Sequence, residues 1–339
     1  MRLMKLNFLA LLLVLFLFQT AFAAEPSLGK LGINFHLVPH FNKAEWTWTP
    51  SIRFRIYGPI ASSDVVWVEY TLPNGKPFVK VQCENISAIS DSENIVVNDC
   101  GFRQEDDQAT NLTGLFGFQI KLANELNGTN KRLFSGKFNV SKNLYNPEKL
   151  PDRTRQFYYY VDHDWRLPMA YLGVFYGDLS NDLFCELWLK NRILDQSKVL
   201  AFLMYNGKQV AEASASFTIA ATPPETPQYS YQAVQFHFNA LVEKPPSDSL
   251  EGHFKLYQNP GEYEIKVLRD GKLARTLKFS IGNDGRPVDA NGLVKQNSIA
   301  KEGALVPVQV LGDADGVWNK TAWKTEAFWN NPVPGLSIP

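Results

Sequence analysis

The run Asp162-His163-Asp164-Trp165 sets one imidazole between two carboxylates. Such a His suits a metal ligand or a general base. The other four His are His36, His40, His237 and His253. His36 and His40 stand four apart, a spacing that suits a metal on a helix, but "INFHLVPHF" contains Pro39 and reads as a strand and turn. Too few ligands can be named around His163 for a metal centre, and a structural His at a domain junction is the expected reading. A hydrolase centred on His163, Asp162 and Asp164 is the alternative; it requires a second polar cluster, with His36 or His40 as members, within hydrogen-bond reach.

No G-x-S-x-G, H-E-x-x-H, P-loop or paired C-x-x-C occurs. No catalytic residue, metal or cofactor is therefore assigned. "DADG" (Asp313 to Gly316) resembles half of a calcium loop, but Leu311 stands where an acid or amide is needed and no glutamate follows at the required distance. It reads as a turn.

Aromatic residues make up 13% of the chain. In an extended strand Trp46 and Trp48 of "EWTWTP" share one face, and Tyr158 and Tyr160 of "QFYYYV" share another. On an exposed face these rings would stack on sugars, which makes Trp46, Trp48, Tyr158, Tyr160 and His163 the candidate ligand-binding residues. The ordinary place for such rings is a core.

Of three cysteines, Cys83 and Cys100 flank a short polar stretch and are expected to form a disulfide in an oxidising compartment. Cys185, in the apolar run "DLFCELWL", reads as a buried small hydrophobe. Basic and acidic residues number 34 each, with no basic patch, which argues against nucleic acid as a partner. A positive start (Arg2, Lys5), the apolar run Phe8 to Phe18 and "AFA" before residue 24 mark residues 1–23 as a secretory signal peptide. No later segment reaches the roughly 20 apolar residues of a membrane span. The expected location is periplasmic or extracellular, and the expected partner is a protein or glycan of the cell envelope. N-x-S/T sequons at Asn85, Asn111, Asn127, Asn139 and Asn319 matter only in a eukaryotic source.

The elements that must position these residues are strands. Alternating runs such as "VVWVEYTL", "GFQIKL", "VQFHFNAL" and "YEIKVL" recur, and nothing sustains a helical period over a dozen residues. "PNGK", "YNGK" and "RDGK" carry the Asn-Gly and Asp-Gly pairs of tight hairpins. Two segments match in order: "FQIKL" with "YEIKV", then "GKFNV" with "LKFSI"; "WTPSIRFRIYG" also resembles "WRLPMAYLGVFYG", and "FHLVPH" resembles "YYYVDH". This predicts a duplicated unit.

The stretch Asn259 to Gly282 resembles the last two strands of an immunoglobulin-like sandwich. The resemblance implies that Tyr263 hydrogen-bonds back to the chain at the strand's corner, and implies no activity. The expected fold is all-β: two tandem immunoglobulin-like antiparallel β-sandwich domains, residues 30–142 and 157–283, the second with an inserted hairpin. A Pro-containing linker, 143–156, joins them. A C-terminal extension, 284–339, follows, with Trp318, Trp323, Phe328 and Trp329 expected to dock on the domains. The functional expectation is a non-enzymatic exported protein with a binding or envelope-structural role; a carbohydrate-binding protein with an aromatic strip is the other binding alternative.

Overall fold

The computed structural model describes residues 25–29, 33–42, 45–58, 60–83, 85–90, 95–100, 109–124, 126–145, 156–176, 181–190, 198–217, 231–238, 254–296, 303–313 and 315–325. The expected signal peptide, most of the expected linker, residues 218–230 and 239–253, and Phe328 and Trp329 lie outside these residues. So do the side chains of His36, Trp46 and Tyr158.

The first half contributes β1 (Ser27–Leu28), β2 (Asn34–Asn42), β3 (Glu45–Tyr57), β4 (Asp64–Thr71), β5 (Pro77–Gln82), β6 (Asn85–Ser90), β7 (Ile95–Cys100), β8 (Gly114–Asn124), β9 (Thr129–Tyr145) and β10 (Gln156–Val161). They form two antiparallel sheets. One runs β1-β3-β7-β6, with β2 also on β3; the other runs β10-β9-β8-β4-β5. Side chains alternate along each strand as the pleat requires. On β4, Val66, Val68 and Tyr70 are buried; on β8, Phe116, Phe118, Ile120 and Leu122 are buried. The inward faces meet in one core around Phe35, Trp48, Phe116 and Phe138. The expected Cys83–Cys100 disulfide is present, and it ties the end of β5 to the last residue of β7, so it links the two sheets.

The second half contributes β11 (Met169–Tyr176), β12 (Asn181–Lys190), β13 (Val199–Tyr205), β14 (Lys208–Phe217), β15 (Tyr231–Phe238), β16 (Gly261–Arg269), β17 (Lys272–Ile281), β18 (Ala304–Pro307) and β19 (Gln309–Val310). Their order is β18-β11-β12-β15-β14-β13-β16-β17-β19. The C-terminal part of β14 pairs with β15 and the rest with β13, so β14 passes from one layer to the other. Both layers line a second core that includes Leu187, Phe236, Leu203 and Ile265. The two ends of the order, β18 and β19, are separated in the chain by Val308 alone, so this set of strands closes on itself. The hairpins fall on the expected pairs: Asn206-Gly207 and Asp270-Gly271 all hold positive φ.

The structure differs from the sequence reading in four places. β2 continues through Pro39 rather than turning there; among the described residues it pairs with β3 alone, and proline is tolerated on such an edge strand. β10, expected to open the second unit, pairs with β9 throughout its length. The hairpin read as an insertion, β13–β14, sits in the middle of the second unit, with Val199, Ala201 and Leu203 buried. The matching openings do not occupy equivalent strands: β11 pairs with the next strand, β12, whereas β3 pairs with β2, β1 and β7 and the chain then crosses to the other sheet for β4. The matching ends do share their phase, with alternate residues buried on β8 and β16 alike. They differ in register by two residues: Phe118 faces Gly136, while Tyr263 faces Phe279. A shift of two leaves every side chain on its own face.

Candidate functional site

The polar residues of the Asp162–Arg166 stretch lie where the two halves meet. Beyond β10 the chain makes a single 3-10 turn, Asp164–Arg166, before β11. The turn is fastened locally: Asp164 N donates to Asp162 Oδ1 at 2.9 Å and Arg166 N to the His163 carbonyl at 2.8 Å.

Three remote segments converge on it. From β15, the Tyr231 hydroxyl lies 2.7 Å from Asp162 Oδ1 and 2.6 Å from Asp164 Oδ1. From the end of β12, Lys190 Nζ donates to Asp164 Oδ1 at 3.1 Å and to the Val317 carbonyl at 2.7 Å. From the C-terminal segment, Asn319 N donates to Asp164 Oδ2 at 2.6 Å. Both oxygens of the buried Asp164 carboxylate are thus engaged by groups from different parts of the chain. Burial and the two neighbouring carboxylates push the Tyr231 phenol far above its usual range, so it stays protonated as a donor.

The aromatic rings complete the junction. The Arg166 guanidinium lies over the rings of Trp165 and Trp188, 4.7 Å and 4.5 Å from their centres, and donates to the Ile33 carbonyl of the first half. Burial pulls Arg166 down to about 10, against the opposing charge of Glu186; it remains a cation at neutral pH. The His163 ring packs at 5.1 Å from Trp188 and edge-on at 5.7 Å from Tyr231. Burial, then the Arg166 charge, hold His163 well below the usual imidazole range, against a hydrogen bond with the Phe35 backbone. His163 is therefore neutral at neutral pH and enclosed by rings and backbone.

A second polar pair adjoins the first. Arg275 Nη1 of β17 meets Asp315 Oδ2 at 2.6 Å, with side chains 0% and 3% exposed. Asp315 Oδ1 accepts from Lys190 N at 2.9 Å. Asp315 belongs to the "DADG" turn, which Gly316 N closes onto the Asp313 carbonyl. Its carboxylate answers a buried arginine.

The other candidates stand apart from this cluster. Trp48 is 0% exposed; its ring packs on Phe116 at 4.9 Å, and its Nε1 donates to the Leu112 carbonyl at 3.0 Å. In this position it offers no face to a sugar. Tyr160 is half-buried, 6.4 Å from the Tyr231 ring. His40 is buried, with Nε2 2.8 Å from Thr49 Oγ1. Cys185 is buried and unpaired, and burial raises its thiol well above the usual range. Among the described residues, no three His, Cys, Asp or Glu side chains converge as a metal site would require. Nor is any helix among them long and apolar enough to cross a membrane.

Sequence reasoning missed Tyr231, Lys190, Trp188, Arg275 and Asp315. Arg275 carried a readable signal. It stands in phase with Leu277, Phe279 and Ile281, the inward positions of β17. A charge on an inward position requires a buried partner. Compared with family models and with curated proteins, the chain matches none.

Proposed function

We propose that the chain is an exported, non-enzymatic protein of two tandem immunoglobulin-like sandwiches with a binding or structural role in the cell envelope. One observation carries this reading. The polar groups around His163 face inward and hold four chain segments together, and His163 itself is buried and neutral. A general base needs contact with a reactant and a titration near the working pH.

The strand connectivity supports the sandwich assignment. In the immunoglobulin arrangement, strands A, B, E and D share one sheet and C, F and G the other. Assigning β11 to β17 as A, B, C, D, E, F and G reproduces both sets of neighbours, with β14 contacting both sheets. In the first half, β2, β3, β7 and β6 take the places of A, B, E and D, while β4, β8 and β9 take those of C, F and G. Tyr263 supports the same assignment, since its hydroxyl donates to the Asn259 carbonyl at 2.5 Å, at the start of strand F.

The test is expression of the full chain in a host with a secretory pathway. The reading expects an N-terminus at Ala24, an oxidised Cys83–Cys100 pair, and no bond cleavage across a panel of envelope glycans and peptides. Turnover of any panel member that is lost in both Asp162→Asn and His163→Gln would replace this reading with the hydrolase. A saturable change in tryptophan fluorescence with one sugar class, without turnover, would narrow the role to carbohydrate binding.

A further inference from the structure

The second unit owes its closure to one short segment near the C-terminus. β18 pairs with β11, from Met169 opposite Pro307 to Leu172 opposite Ala304. Two residues on, β19 pairs with β17, with Thr276 opposite Gln309 and Arg275 opposite Val310. The ladder continues on both sides, with Val308 N donating to the Pro168 carbonyl and Leu311 N to the Ala274 carbonyl, each at 2.9 Å. The same segment thus caps the outer strand of one layer and then the outer strand of the other.

We propose that residues 303–325 form an exchangeable strap, and that the slot they fill accepts the same residues from a second copy of this chain. Among the described residues, the contacts between strap and body include the two ladders, the Arg275–Asp315 ion pair, the bond from Lys190 N to Asp315, those joining Lys190 and Asp164 to Val317 and Asn319, the Thr276–Gln309 side-chain bond, and the burial of Leu305, Val306, Val308 and Ala322 in the two cores. A strap donated by a second copy reproduces each of them, so exchange alters connectivity and leaves the contacts unchanged. Slot and strap also match closely in shape. A Cβ on Gly303 would lie 2.4 Å from the Tyr171 hydroxyl and 2.5 Å from the Leu172 carbonyl, so the strap enters past β11 only with glycine there. An empty slot would bare the unpaired backbone of β11 and β17, the kind of edge that recruits another strand. The inference does not rest on the proposed function.

The test has two arms. In the first, a protease site placed within residues 297–302 of the full chain allows the strap to be cut from the folded protein. A fluorescent peptide of residues 303–325 is then added and its anisotropy followed. The expected result is stoichiometric uptake with displacement of the cut strap, and binding at least about tenfold weaker for peptides carrying Gly303→Val or Asp315→Asn, which lose the fit or strand a buried charge. In the second arm, two differently tagged uncut copies are incubated together at high concentration just below the unfolding transition, then cooled. Mixed dimers that co-purify, and that fail to form when both copies carry a disulfide engineered between strap and body, are expected. Failure of the cut protein to take up the peptide would overturn the proposal, as would tagged copies that stay separate, or uptake that ignores both substitutions. If cutting unfolds the chain, the uncut copies alone decide.

Discussion

Arg275 and Asp315 meet at 2.6 Å with both side chains withdrawn from solvent, and they belong to opposite sides of the strap's attachment. The contact runs through Nη1; among the described residues, Arg275 Nε finds no hydrogen-bond acceptor. A pair of this kind is costly to break from one side, because the remaining charge stays buried. Asp315→Ala is expected to destabilise the protein by about 3–5 kcal/mol, whereas Arg275→Met with Asp315→Leu should be close to neutral. Urea midpoints of the two variants against the parent check this, and equal losses would refute it.

His163 makes stability depend on pH with a definite sign. Its folded pKa lies well below the usual value of 6.5, so below that pH the unfolded chain binds a proton that the folded chain refuses. Its contribution is complete above about pH 6.5 and is lost as the pH falls toward the folded pKa, at a slope of up to about 1.4 kcal/mol per pH unit. Unfolding free energies at pH 7 and pH 5.5 should differ by about 1 kcal/mol in the parent, and by much less in His163→Gln. Carboxylates contribute equally to both proteins, so the comparison isolates the imidazole.

Cys83 and Cys100 are 17 residues apart in sequence and bridge the two sheets of the first unit. A loop of that size predicts a stabilisation of about 3 kcal/mol. Cys83→Ser with Cys100→Ser should lower the thermal midpoint of the first unit, and reductant should then have no further effect. Continued sensitivity to reductant in the double variant would mean that another thiol carries the response.

Tyr263→Phe removes one hydroxyl and leaves the Asn259 carbonyl without that donor. The expected loss is about 1–2 kcal/mol. Trp48→Ala should cost more, about 3–5 kcal/mol, because it empties the centre of the first core. Chemical denaturation of each variant provides the measure. A Trp48→Ala protein of parental stability would contradict the enclosed position of the ring.

Local chemistry was legible in the sequence and long-range chemistry was not. The Asn206-Gly207 and Asp270-Gly271 turns, the alternation of β8 and β16, the Tyr263 bond and the Cys83–Cys100 bridge each follow from residues close together in the chain or from a compartment argument. The partners of Asp164 are 26, 67 and 155 residues away, and no periodicity encodes which of many lysines, tyrosines and backbone amides will arrive. The misaligned openings have a related cause. "WTPSIRFRIYG" and "WRLPMAYLGVFYG" share the apolar rhythm of any half-buried strand, and rhythm fixes which face is buried while leaving the neighbouring strand open.

The strap also sets the order in which the protein can be finished. β11 and β17 are made well before β18 and β19, and β11 precedes its partner by well over a hundred residues. At ordinary rates of synthesis that gap lasts on the order of ten seconds. Once β17 is made, the second unit still has two incomplete edges, while the first unit and its disulfide already have their whole sequence. Completion of the second unit therefore waits for residues 304–310, and a chain cut after residue 281 but before residue 303 would carry both edges open.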